Sequence, residues 1–218
     1  MEKLIIFDVD GTLLNTIETI AYNANKALED FSYDPVEIGI YRKHLGNGSY
    51  MLIKGILQEK NINLEQEKIN EIVDKYHLYY NYEVAYLTNP YNGVLDLCKK
   101  LRQDNIVGLI SNKPDQTLQI LLDDLDIKEE FDFAYGQRSG IEKKPDPQVV
   151  FDLMEEFNIE KENTMIIGDS EIDIQTGKNA GILNIAVSWG FRDKEELMKM
   201  NPDHIFDTIE ELTTYLEN

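Results

Sequence analysis

The chain is poor in cysteine, in basic residues and in long apolar runs. Its one cysteine, Cys98, cannot close an internal disulfide, so no disulfide framework organises the fold. The longest apolar runs, Leu4 to Phe7 and Ile182 to Val187 (broken by Asn184), are of strand length. A membrane-spanning helix needs about 20 apolar residues, so none is expected. The run after Met1-Glu2-Lys3 stops at Asp8, short of the roughly 7–15 apolar residues at the centre of a secretory signal. A cytoplasmic protein is the expectation. Lysine and arginine together number 21 against 41 acidic residues, a net charge of −20. That balance repels nucleic acid and anionic membranes, and no basic cluster offsets it. A small anion can still bind where a metal ion, local cations or backbone N–H groups receive it.

What the chain does have is material for a core: 42% of its 218 residues are hydrophobic, which excludes intrinsic disorder. This length suits one large domain, or one domain carrying an insertion. Short apolar runs alternate with segments of helical period. Leu4–Phe7, Ile106–Ile110, Phe131–Tyr135, Thr164–Ile167 and Ile182–Val187 read as buried strands, with Ile205-Phe206 a weaker sixth. Near-continuous apolar strands are what a parallel sheet covered on both faces requires. Between them, Val94, Leu95, Leu97, Cys98 and Leu101 recur at helical spacing, as do Leu118, Leu121, Leu122 and Leu125, and then Val149, Val150, Leu153, Met154 and Phe157. The pattern predicts an α/β fold with a doubly wound, mainly parallel sheet.

One interval breaks the alternation. Residues 15–85 contain no strand candidate, and three amphipathic stretches fill them: Ile17 to Phe31, Met51 to Ile56 and Ile69 to Tyr80. A crossover between parallel strands needs only about a dozen residues. The surplus predicts a helical subdomain inserted after the first strand, dividing the chain into a sheet domain of residues 1–14 and 86–218 and an insertion of 15–85. Turn residues Asn89-Pro90 and Gly93 mark the return.

The acids sit at strand ends. The first strand runs into Asp8-Val9-Asp10-Gly11-Thr12, the second into Ser111-Asn112-Lys113, and the strand at 164–167 into Gly168-Asp169-Ser170 with Asp173 a helical turn on. In an open α/β sheet, ligands bind outside the carboxyl ends of the strands. Lys144, held by the following Pro145, can lean into the same crevice. Asp8, Asp10 and Asp169 crowded together repel one another, and a bound Mg²⁺ relieves that repulsion with oxygen ligands. Period-two alternation puts Asp8 and Asp10 on one face, so one carboxylate can meet a metal and attack while the other moves a proton. Gly11 frees backbone N–H groups to face an anion, and Ser111, Asn112 and Lys144 are placed to hold its oxygens. These are the parts of a phosphoryl-transfer site.

The same residues resemble the haloacid dehalogenase-like (HAD) superfamily. Phe-Asp-Val-Asp-Gly-Thr-Leu-Leu at 7–14, Ile-Ser-Asn at 110–112, Lys-Pro-Asp-Pro at 144–147 and Gly-Asp-Ser-Glu-Ile-Asp-Ile at 168–174 are similar to its four motifs, in order. The helical insertion sits where that family's first-type cap does. The resemblance implies a Rossmann-like core in which Asp8 is the nucleophile forming an aspartyl-phosphate, and Asp10 is the acid that protonates the leaving oxygen and then activates water. It implies that Ser111 and Lys144 stabilise the phosphoryl group, helped by Gly11, Thr12 and Asn112. It implies Mg²⁺ held by Asp8, the backbone carbonyl of Asp10 and Asp169, with Asp173 in support. The second acid, Asp10, sets the chain apart from the family's dehalogenases. Arg42-Lys43-His44-Leu45-Gly46-Asn47-Gly48 and Trp189-Gly190-Phe191 resemble the phosphoglycolate phosphatase-like branch, and by that resemblance Arg42, His44 and Asn47 reach substrate from the cap. Thr12 stands where the sugar-phosphate mutases usually carry a hydrophobic residue. Asn15 departs from the Asp of many relatives.

Each reading has a blander neighbour. Ser111-Asn112 can serve as a helix cap, Asp173 can complement a helix dipole, and Arg42, His44 and Asn47 can form a solvated loop. Lys113 can neutralise the site or none of it. His77 reads as structural, Cys98 as core, and the run Tyr76, Tyr79, Tyr80, Tyr82 and Tyr86 as packing or a partner face. The expected activity is Mg²⁺-dependent hydrolysis of a small phosphomonoester, phosphoglycolate being the named candidate. A phosphomutase, nucleotidase or pyrophosphatase of the same fold is the near rival. From other classes come a receiver-like signalling module, which orders its acids and lysine differently along the chain, and a catalytically silent binding protein. No residue pattern fixes the oligomeric state.

Overall fold

The computed structural model describes residues 2–217. The chain divides into two compact units, Met1–Asn15 with Pro90–Asn218, and Thr16–Asn89. In the first unit, β1 (Leu4–Phe7), β4 (Ile106–Pro114), β5 (Phe133–Gln137), β6 (Thr164–Gly168), β7 (Leu183–Val187) and β8 (His204–Phe206) form one sheet. Its order is β5-β4-β1-β6-β7-β8, parallel throughout. The short β2 (Leu14–Asn15) and β3 (Asn89–Pro90) make a separate two-stranded sheet.

The α/β expectation holds because the strands are buried on both faces. All four residues of β1 and all five of β6 are buried, which only a sheet covered by helices on each side permits. Leu4, Ile6, Ile110 and Ile166 pack with Val150 and Leu153 of α7 (Gln148–Phe157) in one cluster. The helices α5 (Val94–Leu101), α6 (Asp115–Asp124), α8 (Glu171–Ala180), α9 (Lys194–Lys199) and α10 (Ile209–Leu216) complete this unit. Cys98 lies fully buried on α5, the core position its spacing predicts.

Two strands differ by two residues or more from their sequence-predicted bounds. β5 begins at Phe133, two residues later than the apolar run suggests, because a single 3₁₀ turn occupies Lys128–Glu130. Asp132 then binds the Val107 backbone with both its N–H (2.8 Å) and its carboxylate (2.9 Å). β4 runs on past Ile110 to Pro114, with a register shift between those two residues against β5.

The second unit is helical: α1 (Ile17–Asp30), α2 (Ile38–His44), α3 (Ser49–Glu59) and α4 (Gln66–Tyr82). The α1 face of Ile17, Ile20, Ala21, Ala24, Ala27 and Leu28 is buried at helical spacing. Asn25 ties α1 to α2, accepting from the Tyr41 hydroxyl at 2.6 Å and from the Val36 N–H at 2.8 Å. His77 meets Ser49 Oγ at 2.6 Å. The tyrosine run divides: Tyr76 and Tyr80 are buried, Tyr82 and Tyr86 exposed.

Candidate active site

β1 lies at the centre of the sheet, with β4 on one side and β6 on the other, so the loops leaving these three strands converge at their carboxyl ends. Asp8 follows β1 directly and extends its ladder, its N–H donating to the Ile167 carbonyl at 2.9 Å. The chain then turns tightly: Leu13 and Leu14 donate back to the Val9 carbonyl, and the Gly11 N–H to Leu14. Gly11 has φ +94°, and a Cβ there would stand 2.7 Å from Asp169 Cγ. Only glycine suits both the backbone and the space. Gly190 makes a second close approach, its backbone lying against Asp169 and the Gly11 carbonyl.

Asp169 follows β6 and is held from two sides. Its Oδ1 accepts from the Thr12 hydroxyl at 3.2 Å, its Oδ2 from the Phe191 N–H at 2.7 Å. Trp189 closes the other side of the first turn, its indole N–H donating to the Thr12 carbonyl at 3.1 Å. Asp173 sits at the third position of α8, where its Oδ2 accepts from the N–H and the hydroxyl of Ser170, the helix N-cap. One oxygen of Asp173 thus closes a capping box at the start of α8. The other oxygen faces Lys144.

Lys144 is the hub. Its ammonium lies 2.6 Å from Asp8 Oδ1, 2.6 Å from Asp173 Oδ1 and 3.2 Å from the Ile110 carbonyl, three acceptors for its three protons. Asn112 holds the lysine's backbone, its amide donating to the Lys144 carbonyl at 3.0 Å; the Lys144–Pro145 peptide is cis. Ser111 is buried on β4, and its hydroxyl accepts from the Lys113 N–H at 3.1 Å. Lys113 is buried on the same face of β4, its Nζ 3.1 Å from Asp10 Oδ1. The apolar run ends at Ile110, so the pairing of Lys113 with Asp10 was not legible; extending the strand puts Lys113 beside Ser111, since residues two apart share a face.

The electrostatics follow from burial. Desolvation raises the Asp8 carboxyl well above its ordinary value, the Lys144 charge pulls it back, and Asp173 and Asp169 push it up again. Burial and then the Asp173 charge push Asp169 up to about 7, against the Phe191 N–H and the Thr12 hydroxyl, which favour the ionised form. Burial works against the Lys144 charge, but Asp173 and Asp8 outweigh it and the ammonium is held more firmly than in water.

Asp8, Asp169 and Asp173 offer ligand oxygens all within 4.8 Å of one another. One ammonium facing three buried carboxylates leaves negative charge uncompensated, and hard oxygen donors suit Mg²⁺. The residues present fit such an ion. The carboxylate of Asp10 lies outside this cluster, on Lys113. In the helical unit, Arg42 and Asn47 are exposed, while the His44 ring packs against Gly55 with its Nε2 3.4 Å from Glu59.

A parallel sheet whose central loops gather buried acids around a lysine is an α/β arrangement suited to phosphoryl transfer. The comparison with known proteins narrows this: the haloacid dehalogenase-like hydrolase family matches over residues 5–187. A phosphoglycolate phosphatase of Vibrio parahaemolyticus is 30% identical over 217 residues, covering 96% of this chain and 94% of its own. One from Haemophilus influenzae is 26% identical over 219 residues, covering 98% of each. Among solved structures, a phosphoglycolate phosphatase candidate from Lactobacillus delbrueckii superposes with a TM-score of 0.89 at 31% identity, over 99% of both chains. The chain belongs to the haloacid dehalogenase-like hydrolases, and is an enzyme of their phosphatase kind.

Proposed function

We propose that this enzyme is a Mg²⁺-dependent phosphatase that hydrolyses a small phosphomonoester through an aspartyl-phosphate on Asp8, with phosphoglycolate as the substrate to try first. The observation that supports this most directly is the clamp on Asp8: Lys144 holds Oδ1 at 2.6 Å and thereby fixes the carboxylate at the tip of the central strand. The names of the relatives support the choice of substrate.

In the first step an oxygen of Asp8 attacks phosphorus and the bond to the substrate's bridging oxygen breaks, that oxygen taking a proton from Asp10. In the second, Asp10 removes a proton from water as the water oxygen attacks phosphorus. The bond to Asp8 breaks, inorganic phosphate leaves and Asp8 is regenerated. In this reading Lys144 neutralises charge on the phosphoryl oxygens in both steps, and Ser111 donates a hydrogen bond to them. Mg²⁺ held by Asp8, Asp169 and the Asp10 carbonyl would supply further positive charge for the phosphoryl group, with Asp173 acting on the ligands through Lys144. The helical unit belongs to the same proposal as a cap carrying Arg42, His44 and Asn47 towards substrate.

The test is a panel of phosphomonoesters assayed with Mg²⁺ and with EDTA, for the wild type and Asp8→Asn. Metal-dependent phosphate release that the variant loses is expected. Equal turnover by Asp8→Asn would reject the covalent route.

A further inference from the structure

The site contains a second buried lysine that the four motifs do not assign. We infer that Lys113 is the positioning residue for Asp10, an assignment that rests on the phosphatase reading above. Lys113 leaves β4 on the same face as Ser111, in the stretch where β4 shifts register against β5. Its backbone N–H donates to Ser111 Oγ, and its Nζ stands 3.1 Å from Asp10 Oδ1, with only 6% of the lysine side chain exposed. A solvated lysine extends its stem over the surface and keeps its ammonium in water. This one is withdrawn from water towards a carboxylate, a costly placement that the ion pair compensates.

The arrangement sorts the two acids of the Asp-x-Asp pair. Lys144 ties Asp8 to Asp173; Lys113 ties Asp10 to β4. Asp10 stands outside the sheet, in an isolated bridge with Leu14 within the first turn, and its side chain still rotates among its rotamers unless a partner holds it. The ion pair holds one arrangement in which that carboxylate can serve both the leaving oxygen and the water. Misplacing a reacting group by about 1 Å costs about 10²-fold in rate.

Steady-state kinetics on a double-mutant cycle of Lys113→Met and Asp10→Asn test this. Lys113→Met is expected to lower kcat about 30- to 100-fold with KM within about threefold. In the Asp10→Asn background the same change is expected to move kcat less than about threefold, because the residue it positions is already disabled. Equal losses in both backgrounds would overturn the assignment. So would a raised KM with kcat retained, which would put Lys113 on the substrate. Mg²⁺ affinity measured by calorimetry without substrate is expected to stay within about threefold of the wild type, and a loss of about tenfold would place Lys113 on the metal cluster instead. Lys113→Gln is run alongside, with thermal unfolding of each variant, so that a folding failure of one leaves the cycle readable in the other. If the wild type hydrolyses no phosphomonoester, the phosphatase reading falls and this inference with it. An active wild type with an additive cycle removes the Lys113 assignment alone.

Discussion

Replacing Lys144 by methionine keeps most of the length of the side chain and removes its charge. The lysine side chain is 4% exposed, and its ammonium stands 2.6 Å from both Asp8 and Asp173. Taking it away leaves two buried carboxylates facing each other with no cation between them. Breaking a buried ion pair from one side costs about 3–5 kcal/mol. For a chain of this size, each kcal/mol lowers Tm by about 2–4 °C, so Lys144→Met in EDTA at pH 7.5 should melt about 6–20 °C below the wild type. Two further results follow from the same charges. The deficit should shrink at pH 5, because burial already raises the Asp8 carboxyl and a proton can stand in for the missing ammonium. It should also shrink on adding Mg²⁺, which supplies positive charge at the same oxygens. Trp189, the only tryptophan, reports on this region through its bond to Thr12, and its emission can follow the melt. A Lys144→Met protein within about 2 °C of the wild type in EDTA at pH 7.5 would refute the reasoning, since the uncompensated charge that the prediction relies on would then be absent.

The metal-free protein should lose stability as pH rises. The folded-state value of Asp169, pushed up to about 7 from 3.8, means the folded state holds that proton more tightly than the unfolded chain. The penalty is absent below about pH 4 and fully present above about pH 7, with a ceiling of about 4 kcal/mol; denaturant titrations with EDTA across this window check it, and a flat profile contradicts it. Gly11→Ala forces a side chain into φ +94° against the Asp169 carboxylate. It should cost about 1–3 kcal/mol and weaken Mg²⁺ binding, read by calorimetry on the folded variant. Cys98, fully buried and with its thiol pushed up by burial to about 12, should resist alkylation at pH 8 in the native protein and react once urea unfolds it.

The sheet and the acidic cluster were legible for the same reason. A parallel sheet needs fully apolar strands, so the first polar residue after each run marks a strand end, and Asp8 and Asp169 stand there. The meeting of Asp8 with Lys144 could be inferred because loops at the carboxyl ends of neighbouring strands share one crevice. Lys113 was harder, since β4 continues through Ser111, Asn112 and Lys113, where hydropathy no longer signals a strand. The start of β5 was displaced because Asp132 bonds the Val107 backbone with its side chain as well as its N–H, which an apolar count cannot register. α2 left no trace in the pattern: only Tyr41 of its seven residues is buried, and no side-chain bond caps it. His44 illustrates the same limit, because its packing on Gly55 and approach to Glu59 depend on how α2 meets α3.

The central position of β1 also sets the order in which the enzyme can come into being. Asp8 leaves the ribosome early, yet its lysine follows 136 residues later, and the carboxylate that receives the Thr12 hydroxyl lies 157 residues beyond Thr12. The helical unit is one uninterrupted stretch, Thr16–Asn89, and its contacts, α1 on α4 included, close within that span while the rest is still being translated. The sheet, by contrast, has to wait for β6 before its central strand has both flanking partners. Nascent chains halted before residue 164 therefore lack β6, leaving one edge of hydrophobic β1 without its partner and the pocket without Asp169.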